Sequence, residues 1–159
     1  MFDTTHVHDV KILQGSDEDT LSHWLKLASM TMRRENEACL RKSGMTLTQW
    51  RALGVLLHEP GATHSDLMRH LEIEAPSVTS LVNGMERKGW VKRTRSTADA
   101  RVKRLSLTPR GRRLIEDARE AMEPIEKRMS ATLSASDQAT LKLLLRTMVE
   151  GLHSSPSSL

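Results

Sequence analysis

The sequence has few of the residues on which several classes of functional site depend. Its 159 residues include a single cysteine, Cys39, no tyrosine, one phenylalanine and three tryptophans. A single cysteine excludes an intramolecular disulfide and a cysteine-rich metal site, and we expect Cys39 to be a buried or inert thiol. A surface that stacks single-stranded bases needs several exposed rings, so the composition disfavours that mode of nucleic-acid binding.

Long apolar runs are also missing from the sequence. No stretch of 18 or more apolar residues exists, and the first residues, MFDTTHVHDVKIL, lack the basic segment and apolar block of a secretory signal. We therefore expect a cytoplasmic protein with no membrane association. The composition, 38% apolar and 28% charged, is typical of a globular chain long enough to bury one core.

The common signatures of enzymes are absent as well. The sequence contains no Ser-His-Asp order, no glycine-rich phosphate loop and no paired carboxylates in an apolar setting. It therefore predicts a protein that is not an enzyme and needs no cofactor. The chain has seven histidines, but none lies between His70 and His153, and we expect no regulatory metal site.

Positive charge, in contrast, is abundant and concentrated in one segment. Residues 85–114 contain eleven Lys and Arg against two acidic residues, Glu86 and Asp99, a net charge of +9. The whole chain carries only +4, so the remaining residues sum to −5. A polyanion is the partner that such a segment predicts.

Apolar residues at helical spacing predict long amphipathic helices near both ends of the chain. One covers about residues 19–42, a second begins at Thr108 and Pro109, and a third runs from Ser134 to Leu152. Together they carry more apolar surface than a small central module can cover, so we expect two chains to associate through them. Residues 1–18 are predicted to be an N-terminal arm, and residues 153–159, rich in serine, a disordered tail.

The central part of the sequence predicts a helix-turn-helix followed by a β-hairpin. Thr46 with Gln49, and Thr63 with Asp66, each have the three-residue spacing of a helix-capping box. A third helix is expected to begin with Pro76 at its first position and to stop at Gly89. Two short strands, at residues 90–93 and 102–107, would then flank a basic turn.

The third helix has a polar face that suits a DNA major groove. Short hydroxyl and amide side chains can reach base edges, and the following cations can reach phosphates; they are Ser77, Thr79, Ser80, Asn83, Arg87 and Lys88. The alternative is an ordinary solvated face, but the basic hairpin that follows favours DNA. A tip carrying Arg95 and Arg101 can place a guanidinium in a minor groove, and Asp99 could hold Arg101 in position.

In their order and spacing, three motifs resemble the MarR family of winged helix-turn-helix transcription regulators. They are the run SVTSLVNGMERKGWVKR, the sequence Asp99-Ala100-Arg101, and LTPRGR at residues 107–112. The resemblance spans roughly Leu21 to Leu152. It implies a mainly α fold with a small β-hairpin wing, a DNA-binding domain at residues 46–108, and a dimerisation region formed by residues 19–45 and 109–152.

The resemblance also implies which residues contact DNA. The recognition helix would read bases and the wing arginine would enter the minor groove. These are here Ser77, Thr79, Ser80 and Asn83 on the helix, and Arg101 in the wing with Asp99 holding it. With the cations of the helix end and the hairpin added, the candidate DNA contacts are Ser77, Thr79, Ser80, Asn83, Arg87, Lys88, Arg93, Arg95, Asp99, Arg101 and Lys103. Two features depart from the family pattern: Ala75 stands where many relatives have a capping side chain, and the wing lacks a second arginine often found after its Asp.

Many members of this family are repressors released by a small anionic aromatic ligand or by thiol oxidation. The ligand binds where the dimerisation helices meet the winged module, which here implies Trp24, Met30, Arg34, Trp50 and Arg51 as candidates. The alternative is that the two tryptophans and Met30 belong to the core. The peroxide-sensing branch uses a cysteine near the start of the first helix, whereas Cys39 lies near its end.

Two functions follow from these features. The first is a homodimeric regulator, more specifically a repressor, that binds a pseudo-palindromic operator in double-stranded DNA. The second is an architectural DNA-binding protein with little sequence preference. The two differ in the ratio of specific to non-specific affinity, which is about 10³ or more for regulators and near one for the architectural protein.

Overall fold

The structure, a computed structural model, describes residues 20–95 and 103–154. These residues form six helices and one two-stranded sheet. In chain order the elements are α1 (Leu21–Arg41), α2 (Leu47–His58), α3 (His64–Leu71), α4 (Ala75–Arg87), β1 (Val91–Arg95), β2 (Lys103–Leu107), α5 (Pro109–Ser130) and α6 (Ala135–Ser154). The predicted arm and the wing-tip residues Asp99 and Arg101 lie outside the described residues.

Local capping sets the start of α2 and of α3, as the sequence predicts. The Thr46 hydroxyl accepts a hydrogen bond from the Gln49 backbone N–H, and the Gln49 side chain accepts one from the Thr46 N–H, both at 3.1 Å. Thr63 and Asp66 make the same reciprocal pair at 3.3 and 2.9 Å. Each box satisfies two backbone donors that a helix start leaves free, so both predictions are confirmed.

The start of α4 differs slightly from the prediction. Pro76 occupies the second position of the helix rather than the first, because the helix begins at Ala75. The N-cap is Glu74 rather than Ala75, and the Glu74 side chain makes no capping hydrogen bond. Gly89, with a φ of 69°, follows the helix end at Arg87 and Lys88 and lets the chain turn into β1.

The hairpin packs on the helices through one side of each strand. β1 and β2 are antiparallel, with Val91 opposite Leu107 and Arg95 opposite Lys103, and each begins one residue later than predicted. The buried core joins the central helices, the hairpin and α5; among its members are Leu53, Leu56, Leu67, Val78, Val82, Met85, Leu105 and Ile115. A mainly α fold with a small β-hairpin is therefore confirmed.

The two C-terminal helices follow each other with only a short turn between them. Thr108 caps α5 by accepting from the Gly111 N–H at 3.0 Å, and α5 continues past Pro124 to Ser130. The predicted disordered tail begins too early, because α6 continues through His153 to Ser154. The first strong helix breaker after Leu152 is Pro156, and a residue that precedes a proline disfavours the helical conformation. The helix therefore ends later than the serine-rich composition suggested.

Much of the apolar surface of α1 and α6 is not covered within one chain. Leu40 is the only buried residue of α1, and none of residues 135–153 in α6 is buried. The exposed apolar side chains include Leu21, Trp24, Met30, Met32, Leu141, Leu143, Leu144, Val149 and Leu152. Among the described residues, no helix combines the length and apolar character needed to cross a membrane.

Candidate nucleic-acid interface

The polar face of α4 is open to solvent along its length. Its opposite face buries Val78, Val82 and Met85 completely, which fixes the rotation of the helix on the core. The side chains predicted to contact DNA on this helix are all exposed: Ser77, Thr79, Ser80, Asn83, Arg87 and Lys88. An open depression of about 420 Å³ is lined by Ser80, Asn83, Glu86 and Arg87.

Arg93 of β1 is held inside the protein rather than displayed on the surface. Its guanidinium forms an ion pair with Glu86 and donates a hydrogen bond of 2.6 Å to the side-chain oxygen of Asn83. Only 23% of the Arg93 side chain is exposed, and its Nε is buried without a hydrogen-bond partner within residues 20–95 and 103–154. The sequence placed Arg93 among the DNA contacts, whereas the structure uses it to join the wing to α4.

Lys88, another predicted DNA contact, also interacts with the protein. Its Nζ donates to the carbonyl oxygen of Gly44 at 3.0 Å and lies 4.3 Å from the centre of the Trp90 ring. Lys88 therefore links the end of α4 to the junction between α1 and α2. No signal in the sequence points to this contact, because Gly44 and Lys88 are 44 residues apart.

Two other predicted contacts are cations with no ion pair in the described part of the chain. Arg87 is exposed at the end of α4, and Lys103 is exposed at the start of β2. The strand register places Lys103 opposite Arg95, so the base of the wing carries cations on both strands. Arg87 and Lys103 suit phosphate contacts, because an exposed, unpaired cation can release counterions from DNA when it binds.

The sequence did not single out His64, which lies in the electric field of the wing base. Partial burial lowers the pKa of His64, and the nearby positive charges of Arg93 and Lys103 lower it further, while Glu86 opposes them. His64 occupies the first position of α3. A proton on this imidazole would add a third positive charge beside Arg93 and Lys103, so the neutral form is favoured.

The residues predicted to bind a small ligand fall into two groups. Trp24, Met30 and Arg34 are exposed along α1, with Trp24 56% and Met30 42% exposed, so neither of the first two belongs to the core of one chain. Trp50 is half-buried against the core, and its Nε1 is buried without a hydrogen-bond partner among the residues described. Arg51 is exposed on α2 and donates to the carbonyl oxygen of His70 at 3.3 Å.

Cys39 contributes to the contact between α1 and α5. The thiol is half-buried, and its Sγ donates to the carbonyl oxygen of Ala121 at 3.3 Å. A second link between these helices is the ion pair of Arg128 with Glu35. No group of three or more His, Cys, Asp or Glu side chains suited to a metal ion occurs in residues 20–95 and 103–154.

The family model and the relatives that match this chain agree in pointing to transcription regulators. Residues 43–102 match the model described as MarR family, a range that contains α2, α3, α4 and the first strand of the hairpin. An HTH-type transcriptional repressor of Mycobacterium tuberculosis is 28% identical over 133 residues, covering 84% of this chain and 96% of the relative. The homoprotocatechuate degradative operon repressor of Escherichia coli is 29% identical over 110 residues, covering 69% of this chain and 74% of the relative.

Solved structures resemble this chain over most of its length. The transcriptional repressor CouR, bound to a 23-mer DNA duplex, superposes with a TM-score of 0.77 at 25% identity, covering 87% of this chain and 99% of CouR. The MepR–DNA complex of S. aureus gives a TM-score of 0.74 at 27% identity, covering 86% of this chain and 99% of MepR. Both of these structures contain DNA.

Proposed function

Because the chain belongs to the MarR family of winged helix-turn-helix transcription regulators, we propose that it is a sequence-specific repressor that binds a pseudo-palindromic operator as a homodimer. The observation that carries this proposal is the exposed polar face of α4, whose opposite face is locked into the core by Val78, Val82 and Met85. A rigid helix with short polar side chains outward matches the width of a major groove.

The proposed contacts with DNA divide by role. Ser77, Thr79, Ser80 and Asn83 read base edges, and Arg87 and Lys103 contact phosphates. Arg101, positioned by Asp99, enters the minor groove from the wing. Arg101→Ala should then weaken binding to the operator at physiological salt, and an unchanged affinity would remove the wing arginine from the mechanism.

The proposed homodimer forms through α1, α5 and α6. Its support is the apolar surface that one chain leaves uncovered, where Leu143, Leu144 and Leu152 are 62%, 60% and 72% exposed. Burial of such side chains is favourable by about 25 cal/mol for each Å² of apolar area removed from water. Two DNA-binding modules held in this way would meet half-sites about one helical turn apart.

Release by a small anionic aromatic ligand is part of the proposal. The support is the chemistry of the candidate residues: Trp24, Met30 and Trp50 offer apolar and aromatic faces, and Arg34 and Arg51 offer guanidinium groups that suit a carboxylate. Benzoate serves as the probe. It should lower operator affinity in the wild type and have less effect on Arg34→Ala, whereas equal effects on both proteins would remove Arg34 from the site.

The decisive experiment selects bound duplexes from a random DNA pool and then compares the winner with a scrambled duplex by fluorescence anisotropy. The expected result is a palindromic sequence bound about 10³-fold or more tightly than the scrambled one. Equal affinity for both duplexes would instead identify an architectural DNA-binding protein.

The same titrations, repeated across salt concentrations, test the phosphate contacts. Arg87→Ala should reduce the magnitude of the slope of log K against log salt by about 1.8 for a dimer, because each protomer loses one contact worth about 0.9. Arg146→Ala removes another exposed cation, from α6, and is the matched control, with no expected change in slope.

A further inference from the structure

Three side chains form a connected group between the recognition helix and the wing. Arg93 of β1 donates to the Asn83 side-chain oxygen at 2.6 Å and pairs with Glu86, which lies three residues further along α4. Asn83 and Glu86 also line the open depression on the exposed face of the helix. The group therefore has an inner end at Arg93, which is mostly buried, and an outer end at Asn83 on the face proposed to meet DNA.

The chemistry of arginine fixes which way the Asn83 amide points. A guanidinium has donors and no acceptor, so only the oxygen of the amide can face Arg93. The side-chain NH2 of Asn83 must then lie on the other side of the amide group. Glu86 keeps the guanidinium in place from a second direction, since a carboxylate and a guanidinium form a strong charge-assisted hydrogen bond.

We propose that Arg93 is a positioning residue that presents Asn83 to DNA as a hydrogen-bond donor, so that Asn83 selects an acceptor in the major groove. This inference rests on the proposed function. An asparagine free to use both ends of its amide reads adenine, accepting from N6 and donating to N7. With its oxygen committed to Arg93, the Asn83 side chain favours a base whose groove edge offers acceptors.

The bases meet this requirement to different degrees. Guanine offers two acceptors, O6 and N7, and thymine offers O4. Adenine offers N7, but the Asn83 oxygen committed to Arg93 can no longer accept from its N6 donor, and cytosine presents a donor that would oppose the amide NH2. One position in each half-site should therefore prefer guanine or thymine and reject cytosine. The ionic charge of Arg93 takes no part in the contact, because Glu86 already neutralises it.

The test compares the sequence preferences of the wild type with those of two variants, using duplexes selected from a random pool. Asn83→Ala should abolish the preference at one position of each half-site, a loss of about fivefold or more in discrimination. The double variant E86Q/R93M removes the ion pair without changing the net charge. It should relax the preference at that same position and leave the other positions as they are.

Chemically modified bases at the identified position then show which atom of the base accepts the hydrogen bond from Asn83. If guanine is selected, replacing it with 7-deazaguanine, which lacks N7, should weaken wild-type binding and leave Asn83→Ala unaffected. If thymine is selected, replacing its O4 with sulfur should have that effect instead. Thr79→Ala, which changes an exposed side chain on the same helix, is the matched control and should keep the preference at the Asn83 position.

A separate readout distinguishes a positioning residue from a phosphate contact. The salt slope of E86Q/R93M should equal that of the wild type, whereas loss of a phosphate contact in each protomer would reduce its magnitude by about 1.8. Thermal unfolding of each variant establishes that it remains folded, and if the double variant unfolds, Asn83→Ala and the modified bases still decide the proposal.

Three outcomes would overturn the inference. They are a preference for adenine at the Asn83 position, an Asn83→Ala variant with the wild-type consensus, and a reduced salt slope for the double variant. A wild type with no consensus at all would contradict the proposed function itself, so the two failures are distinguishable.

Discussion

Gly111, near the start of α5, lies directly against the backbone of Trp90. A Cβ atom at this position would be 2.0 Å from the Trp90 carbonyl oxygen. The same carbonyl accepts from the Thr108 N–H at 3.0 Å, and the Thr108 hydroxyl donates to the Gly89 carbonyl oxygen at 2.7 Å. The glycine of the LTPRGR motif therefore allows the first turn of α5 to dock onto the chain segment that leads into the wing.

The variant Gly111→Ala should destabilise the protein, because the contact with backbone cannot be relieved by a side-chain rotation. Overpacking of this kind costs about 1–3 kcal/mol in the free energy of unfolding. Urea denaturation followed by circular dichroism measures the effect. Gly84, within α4, is the matched control: a Cβ atom there would have nothing within 4 Å, and Gly84→Ala should stabilise by about 0.5–1 kcal/mol. Equal effects of the two substitutions would contradict this account.

The charge state of His64 should make stability depend on pH. Its pKa in the folded protein lies below the ordinary value of 6.5, because of partial burial and the charges of Arg93 and Lys103. As pH falls through 6.5, the unfolded chain takes up this proton before the folded protein does, so stability decreases. At pH values well above 6.5 both states are neutral and the effect vanishes.

His64→Gln removes this titrating group, so the stability of the variant should decrease less as the pH falls. The measurement is the difference in unfolding free energy between wild type and variant at pH 8 and at pH 5.5, which cancels the shared contribution of the other histidines. The wild type should lose more stability than the variant on acidification. A variant that loses as much would show that His64 is not the group responsible.

At the scale of the elements, the sequence predicts what is decided locally. The caps at Thr46 and Thr63 follow from spacings of three residues, and the cap at Thr108 follows from the proline next to it; the structure has all three. The helix end at Gly89 follows from a single residue whose φ is positive. Such features depend on short-range hydrogen bonds, so the surrounding fold cannot easily override them.

Contacts between elements are harder to predict. The placement of Arg93 beside Asn83 and Glu86 depends on how β1 returns along α4 after Gly89. Arg93 follows Glu86 by seven residues, and the chain turns at Gly89 between them. The opposite charges on the two sides of this turn were the feature of the sequence that could have predicted the contact. The contact of Lys88 with Gly44 had no such signal, since it depends on where the tertiary fold places the junction between α1 and α2 relative to the end of α4.

The short helix α3 offers a test of how much its cap contributes. Asp66 accepts from the Thr63 N–H at 2.9 Å and from the Thr63 hydroxyl at 2.8 Å, and these bonds lower the pKa of Asp66. Thr63→Ala and Asp66→Ala should each cost about 0.5–2 kcal/mol of stability. Because the two side chains act on each other, the double variant should cost less than the sum of the single ones.

Chemical denaturation of the four proteins in this cycle gives the coupling free energy. Ser65→Ala, which changes an exposed residue in the same turn, is the control and should have little effect. Additive losses would show that the two hydrogen bonds contribute independently.

At the scale of the whole molecule, the exposed apolar side chains of α6 predict self-association. Replacement of Leu143 and Leu144 by Glu should convert a dimer into a monomer, because each Glu would place a charge in the proposed apolar interface. Sedimentation velocity measures the change in mass. Thr140→Glu, at an exposed polar position of the same helix, should leave the mass unchanged. A double variant with the wild-type mass would exclude this face from the interface.

The same exposed face has a consequence for how the protein responds to its own abundance. If each chain must find a second one before α1 and α6 are covered, folding stability and assembly are linked by mass action, and the melting temperature rises with protein concentration. When the protein concentration is below the dissociation constant of the dimer, the concentration of dimer grows with the square of the total protein concentration. Operator occupancy then follows the same square law, so a tenfold rise in synthesis yields about a hundredfold rise in the DNA-binding form.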